Sequence, residues 1–319
     1  MNNILKRTVA IIDDQGIPSF MVKFENTAKT AKEADRVFFV RGQEYDAFYM
    51  SAFPNVVING RAYSLPLMTP TTRLTLDEMI AACRKKGDGW HVATAAEWFH
   101  MVEESRQAGT MPHGNTNNGK FYYDANERGI PGNIYGTTLT GSGPATWRHD
   151  GTFDGVSDAN GDVWKRLTGI RLKNGIFQYI PDNDAAHPEA DLSEDSAEYK
   201  DVQVSGKPVR IGMMDGEVCI TTDEDIDGWA VSCRKEVINL LPETPEILRR
   251  LGIVTPDQEE SNEWLAADAD LDEATPFVGA SLYNASYAGS SALFLYYPRS
   301  SVDTILGFFS AFLGEPVIR

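Results

Sequence analysis

Apolar and polar positions alternate with two different periods along this chain, and the changes of period mark its elements. RTVAII, SFMVKFE and RVFFVRG are short runs with period-two alternation. They are separated by Asp13-Asp14-Gln15-Gly16-Ile17-Pro18 and a polar segment at Lys29 to Asp35, which predicts irregular strands. Residues 1–44 therefore read as a small β-rich segment suited to attachment or oligomerisation. From Tyr45 the pattern is more regular. YDAFYMSAF and NVVINGRAYSL predict strands, with Asn59-Gly60 as a hairpin turn.

The period then lengthens. Thr75 and Glu78 have capping-box spacing, Leu76, Met79, Ile80 and Cys83 make one apolar helix face, and Lys85-Lys86-Gly87 ends it. Thr94 and Glu97 repeat the box, Ala95, Trp98, Phe99 and Val102 give the face, and Gly109 closes that helix. Two helices with strands on either side predict an α+β domain.

Residues 110–165 show neither period. A stretch this long carries function, holds a metal or wraps the core. Within it Asp154, Asp158, Asn160 and Asp162 resemble a calcium loop. An EF-hand fails, because Val163 stands where Gly is needed and Gly169 where Glu is needed. A weaker calcium site on Asp158, Asn160 and Asp162, completed by backbone carbonyls, stays open beside solvated turns. GIRLKNGIFQYIPDN predicts a hairpin around Asn174-Gly175. KPVRIGMM and EVCITTD predict strands, ETPEILRRLGI a short helix, and TPDQEESNEWLA a helix with Pro256 in its first turn. Residues 181–270 thus elaborate the main domain.

The segment from Phe277 to Phe312 changes the picture most. Four of the twelve tyrosines lie between Tyr283 and Tyr297, set among Gly, Ala, Ser and Asn. Binding loops favour these types, because Tyr gives stiff, half-polar contact area and small residues let it settle. In SSALFLYY, Leu293 and Leu295 point one way and Phe294 and Tyr296 the other. Large aromatics on both faces imply a doubly buried strand or a face turned to a partner.

Composition adds limits. Of 319 residues, 42% are hydrophobic and 24% charged, enough for a sizeable core. The net charge of −17 disfavours nucleic acid and anionic membrane as partners. No apolar run reaches the roughly 20 residues that cross a bilayer, so no membrane insertion is expected, and the apolar run near the start is too short for a secretory signal. Cys83, Cys219 and Cys233 lack zinc spacing, and one bridge between Cys219 and Cys233 stays open. The five histidines, at 91, 100, 113, 149 and 187, show no metal spacing, and no nucleophile elbow, Walker loop or dinucleotide fingerprint occurs. Nothing here argues for catalysis.

Four motifs in order carry a family resemblance: GWHVATAAEWFHMV, PHGNTNNGK at Pro112 to Lys120, GPATWRHDGTFDGVSDANGDVW, and AGSSALFLYYPRS with a following GFF. Together they resemble the C-type lectin fold of the formylglycine-generating-enzyme type. Within it they resemble the variable proteins of diversity-generating retroelements and related phage tail receptor-binding proteins, over residues 45–312. The resemblance implies a ligand-binding domain at 45–319 with a hypervariable binding region at 277–312. It implies no enzyme, since the catalytic branch needs a late cysteine pair and the iron-binding branch late histidines. Here no Cys follows Cys233 and no His follows His187.

The chain departs from the family where Gly-Asn-Val-Trp-Glu-Trp becomes Gly161-Asp162-Val163-Trp164-Lys165-Arg166, which bears on any inherited calcium site. By position in the pattern, Tyr283, Asn284, Tyr287, Ser291, Phe294, Tyr296, Tyr297, Val302, Asp303 and Thr304 should face outward and bind ligand. The implied partner is a bacterial surface protein or glycan, the implied place a phage virion or the host cytoplasm before assembly, and a homo-oligomer stays open. No cofactor is implied apart from a structural calcium. The alternatives are an oxidase of the same fold and a structural virion or cell-surface component whose aromatic face is a subunit interface.

Overall fold

The computed structural model describes residues 7–30, 32, 35–226 and 228–318; residues 1–6 of the start weighed above as a signal sequence lie outside them. In chain order the main elements are β1 (Thr8–Ile12), β2 (Pro18–Glu25), β3 (Ala47–Ser51), β4 (Val56–Ile58), β5 (Arg61–Tyr63), α1 (Leu76–Arg84), β6 (Trp90–Val92) and α2 (Ala95–Ala108). Then come β7 (Trp164–Arg166), β8 (Ile170–Lys173), β9 (Ile176–Tyr179), β10 (Arg210–Met214), β11 (Glu217–Thr221), β12 (Trp229–Cys233) and α3 (Glu246–Arg250). The last are β13 (Trp264–Asp268), β14 (Glu273–Val278), β15 (Leu293–Tyr297), β16 (Leu306–Phe308) and β17 (Ser310–Leu313).

Local rules account for much of this. Both helix starts close complete capping boxes, Thr75 with Glu78 and Thr94 with Glu97. α2 stops at Gly109, whose φ of 69° suits a residue without Cβ. Asn59 (φ 53°) and Gly60 (φ 74°) turn β4 into β5, and Asn174 (φ 50°) and Gly175 (φ 75°) turn β8 into β9.

The two ends of the described chain meet in one antiparallel sheet of order β1-β2-β3-β17-β6. The N-terminal segment is therefore not set apart. Met21 pairs with Ser51, and the Ile12 amide donates to Val317 O at 2.9 Å. Its third apolar run forms a 3-10 turn at Arg36–Phe38 and a two-residue strand in place of a long one. The second sheet runs β12-β13-β15-β14-β8-β9-β10-β11, with β7 linking β14 to β16. It curls until β10 and β11 return against β12 and β13. The strands at Arg210–Met214, Glu217–Thr221, Trp229–Cys233 and Trp264–Asp268 are thus built into this sheet.

The expected α+β balance is corrected toward strand, with few helices. The helix expected from Thr255 does not form. Residues 256–260 are turns, and Trp264–Asp268 pairs with β12 and, in parallel, with β15. The apolar Trp264-Leu265-Ala266-Ala267 run is buried by partners distant in sequence, and that tertiary pairing outweighs the local helix signal. All three cysteines are buried and free, so the Cys219–Cys233 bridge is absent. No helix among the described residues is long and apolar enough to cross a membrane.

Candidate ligand-binding face

The site begins with the alternation of β15. Leu293 and Leu295 are fully buried in the large core that also holds Leu265, Ala267 and Val278. Phe294 and Tyr296 project from the other face into a second cluster with Trp164, Trp264 and Phe277. The strand is thus buried on both faces at its start and opens toward its end, where Tyr296 is half-buried and Tyr297 is 41% exposed. Pairing with β14 slips between Thr275 and Phe277, and at the strand end the rings of Tyr296 and Tyr297 lie 4.2 Å apart.

These rings line an open cleft of about 340 Å3. Seven aromatic side chains face it: Trp164, Trp264, Phe277, Tyr283, Phe294, Tyr296 and Tyr297. They touch in a chain, Trp164 to Phe294 at 4.1 Å, Phe294 to Tyr296 at 4.8 Å, and Phe277 to Tyr297 at 5.1 Å. Two more extend the surface: Tyr287 stacks on Trp264 at 4.8 Å, and the exposed Trp229 meets Tyr296 edge-on at 6.3 Å. Burial raises the Tyr296 phenol well above the usual tyrosine range, so its hydroxyl stays protonated.

Two loops form the rim, and both are braced. In the first, Asn284 Oδ1 accepts from the Ser281 amide (2.7 Å) and hydroxyl (2.8 Å), and the Ala285 amide donates to Thr116 O at 3.0 Å. In the second, Arg166 donates to Pro298 O (3.0 Å), Ser301 O (2.9 Å) and the Thr275 hydroxyl, and lies 4.4 Å from the Phe277 ring centre. Arg299 pairs with Asp77 and Glu273. Asp303 accepts from the Ile305 amide, and its carbonyl accepts from the Arg73 amide. Such bracing limits the entropy lost when a ligand binds.

Of the ten residues expected to face outward, the structure brings Tyr283, Asn284, Phe294, Tyr296, Tyr297, Val302 and Asp303 to the cleft. Tyr283 (58%), Val302 (51%) and Tyr297 (41%) are well exposed, while Tyr287 and Thr304 lie beside the cleft on its rim loops. Three expectations of outward exposure are corrected. Phe294 is the buried floor, and Asn284 is a buried loop brace. Ser291 is buried on the opposite side, where its carbonyl accepts from Arg234 and its hydroxyl from Arg106. Sequence reasoning missed Trp264, hidden in the supposed helix, and Trp229. It quoted Trp164 and Phe277 without assigning them to the face.

The acidic loop has become the foundation of the first rim. Asp162 Oδ1 accepts from the Thr138 amide, the Thr138 hydroxyl and Asn115 Nδ2, and Asp158 Oδ2 accepts from the Gly141 amide. Asn160 Nδ2 donates to Pro112 O. The cation among them is the chain's own. Lys165 Nζ, fully buried, donates to Gly161 O (2.6 Å), Ala159 O (3.3 Å) and Gly279 O (3.4 Å). The side chains of the expected calcium site are engaged as hydrogen-bond partners, apart from Asn160 Oδ1, which is buried without one, and an ammonium lies in the carbonyl cradle. Burial raises both carboxyls, Asp162 to about 6, and lowers the Lys165 ammonium to about 7. Gly279 follows from the same packing, since a Cβ there would lie 2.3 Å from Ala159 O.

The four resemblance motifs converge under the cleft. Trp98 Nε1 donates to Ser290 O, the Asp162 amide to Asn115 O, and the Gly161 amide to Gly279 O. No protein-family model matches the chain, and no curated protein matches its sequence. Among solved structures the chain is similar to one described as "Major Tropism Determinant I1 Variant", at a TM-score of 0.32 and 10% identity over 96% of this chain and 71% of that one. A likeness this distant assigns neither fold family nor ligand to the present chain.

Proposed function

We propose that the chain is a non-catalytic ligand-binding protein and that the aromatic cleft is its binding face. The observation that carries this is the convergence of seven aromatic side chains, two of them well exposed, between two braced loops. Stiff aromatic area at low entropic cost suits recognition, and buried aromatic anchors commonly dominate binding energy. Among the described residues the lining has no His, Cys, Lys, Arg or Glu and a single carboxylate, Asp303, which gives chemistry no acid–base pair or thiol.

On the four motifs, which meet beneath the cleft, we read the fold as a divergent C-type lectin type. The chain is then a phage or prophage receptor-binding protein that recognises a bacterial surface protein or glycan, with residues 277–312 as its variable region. Useful avidity would come from several copies on one particle. The test combines Tyr283→Ala, Tyr297→Ala and Val302→Ala in one variant. Adsorption to bacteria that bind the native chain should be lost, with the melting temperature nearly unchanged, because exposed side chains contribute little to stability. Unchanged adsorption overturns the reading.

A further inference from the structure

The geometry points to a specific ligand chemistry for the cleft: a small organic cation with apolar substituents, a methylated ammonium of the choline type. This rests on the reading of the cleft as a binding site and names what it selects. Electron-rich ring faces attract a cation whose methyl groups also need apolar cover, and the attraction strengthens as water is excluded. Here rings of Trp, Tyr and Phe line a space of about 340 Å3, ample for a trimethylammonium group.

Charge agrees with this. Among the described residues Asp303 is the one formally charged residue of the lining, and its carboxylate sits at the rim. Through Oδ1 it accepts from the Ile305 amide and the Thr304 hydroxyl, both at 3.1 Å, and among the described residues it has no cationic partner. Arg166, over the Phe277 ring, is not part of the lining, and its charge is shared among three oxygen acceptors. The chain as a whole carries −17. Among the described residues an anionic ligand would meet no basic side chain in the cleft. The hydroxyl and carbonyl of Ser281 and Asn284 are already spent on each other, which weakens the case for a sugar ring held by many hydrogen bonds.

The test is a calorimetric titration of the native chain with choline and, separately, with 3,3-dimethyl-1-butanol, its neutral carbon isostere. Choline should bind saturably and at least several-fold more tightly than the isostere. Asp303→Asn should weaken choline several-fold and leave the isostere unchanged, and Tyr297→Leu should weaken both. Equal affinity for the two probes overturns the cation assignment while leaving a binding face in place. Absence of saturable choline binding overturns it too. Loss of cell adsorption in the surface variant is scored separately, so failure here and failure of the receptor-binding reading are distinguishable. The comparison of the two probes uses the native chain and survives even if a variant fails to fold.

Discussion

Replacing Lys165 by Met tests how the aromatic cleft is held up. The substitution keeps a long side chain and removes the ammonium that donates to Gly161 O, Ala159 O and Gly279 O. It also removes the positive charge that offsets the buried Asp158 and Asp162. Removing one partner of a buried charge arrangement costs roughly 3–5 kcal/mol. At about 2–4 °C per kcal/mol for a large domain, the melting temperature should fall on the order of 10 °C.

The sign of the pH dependence follows from the shifts. Burial raises both carboxyls, so ionised carboxylates cost native stability, and that cost grows as pH rises from the unfolded value of 3.8 through the folded one. Without Lys165 the cost is larger. In the native chain the lowered ammonium carries its own penalty, which is full below about pH 7 and shrinks as pH rises. Both effects make the loss larger at pH 8 than at pH 5. Denaturant unfolding of both proteins at the two values measures it. A loss under about 1 kcal/mol, small against the expected range, or one larger at pH 5, refutes the reasoning. The melting temperature of the native chain should also be indifferent to calcium and chelator.

Phe294→Ala should cost about 3–5 kcal/mol, the usual loss for a buried Phe, because the ring packs on Trp164 and Tyr296; a loss near that of an exposed Tyr would restore it to the outer surface. Lys86 donates to Ser19 Oγ at 2.6 Å and lies 3.1 Å from the Trp90 ring centre, and burial lowers its ammonium to about 7 from 10.5. The unfolded chain keeps that proton to higher pH, so Lys86 penalises folding fully below about pH 7 and progressively less toward 10.5. Lys86→Met should therefore stabilise at pH 6.5, with a gain that fades by pH 10; denaturation midpoints across that range check it.

What was legible in the sequence was local. Thr75 with Glu78, Thr94 with Glu97, Asn59-Gly60 and Asn174-Gly175 each carry a start or turn signal within four residues, and each sits where expected. The density of tyrosines drew attention to a segment that lines the cleft. The errors lie where a distant partner decides. Trp264–Asp268 is a strand because β12 and β15 flank it, and Ser291 is buried because Arg106 and Arg234 meet it from α2 and from the turn after β12. Lys165 illustrates the same limit. Its position beside Asp162 was plain, but only the chain's path shows its ammonium entering a cradle made partly by Gly279.

Hydrogen exchange of the chain with and without bound bacterial surface ligand tests the central claim most directly. Protection should concentrate at residues 281–287 and 296–304, the two rims and the open end of β15. Protection elsewhere, for example around the exposed Leu67, Ile130 and Tyr135, with none at those rims, would contradict the account.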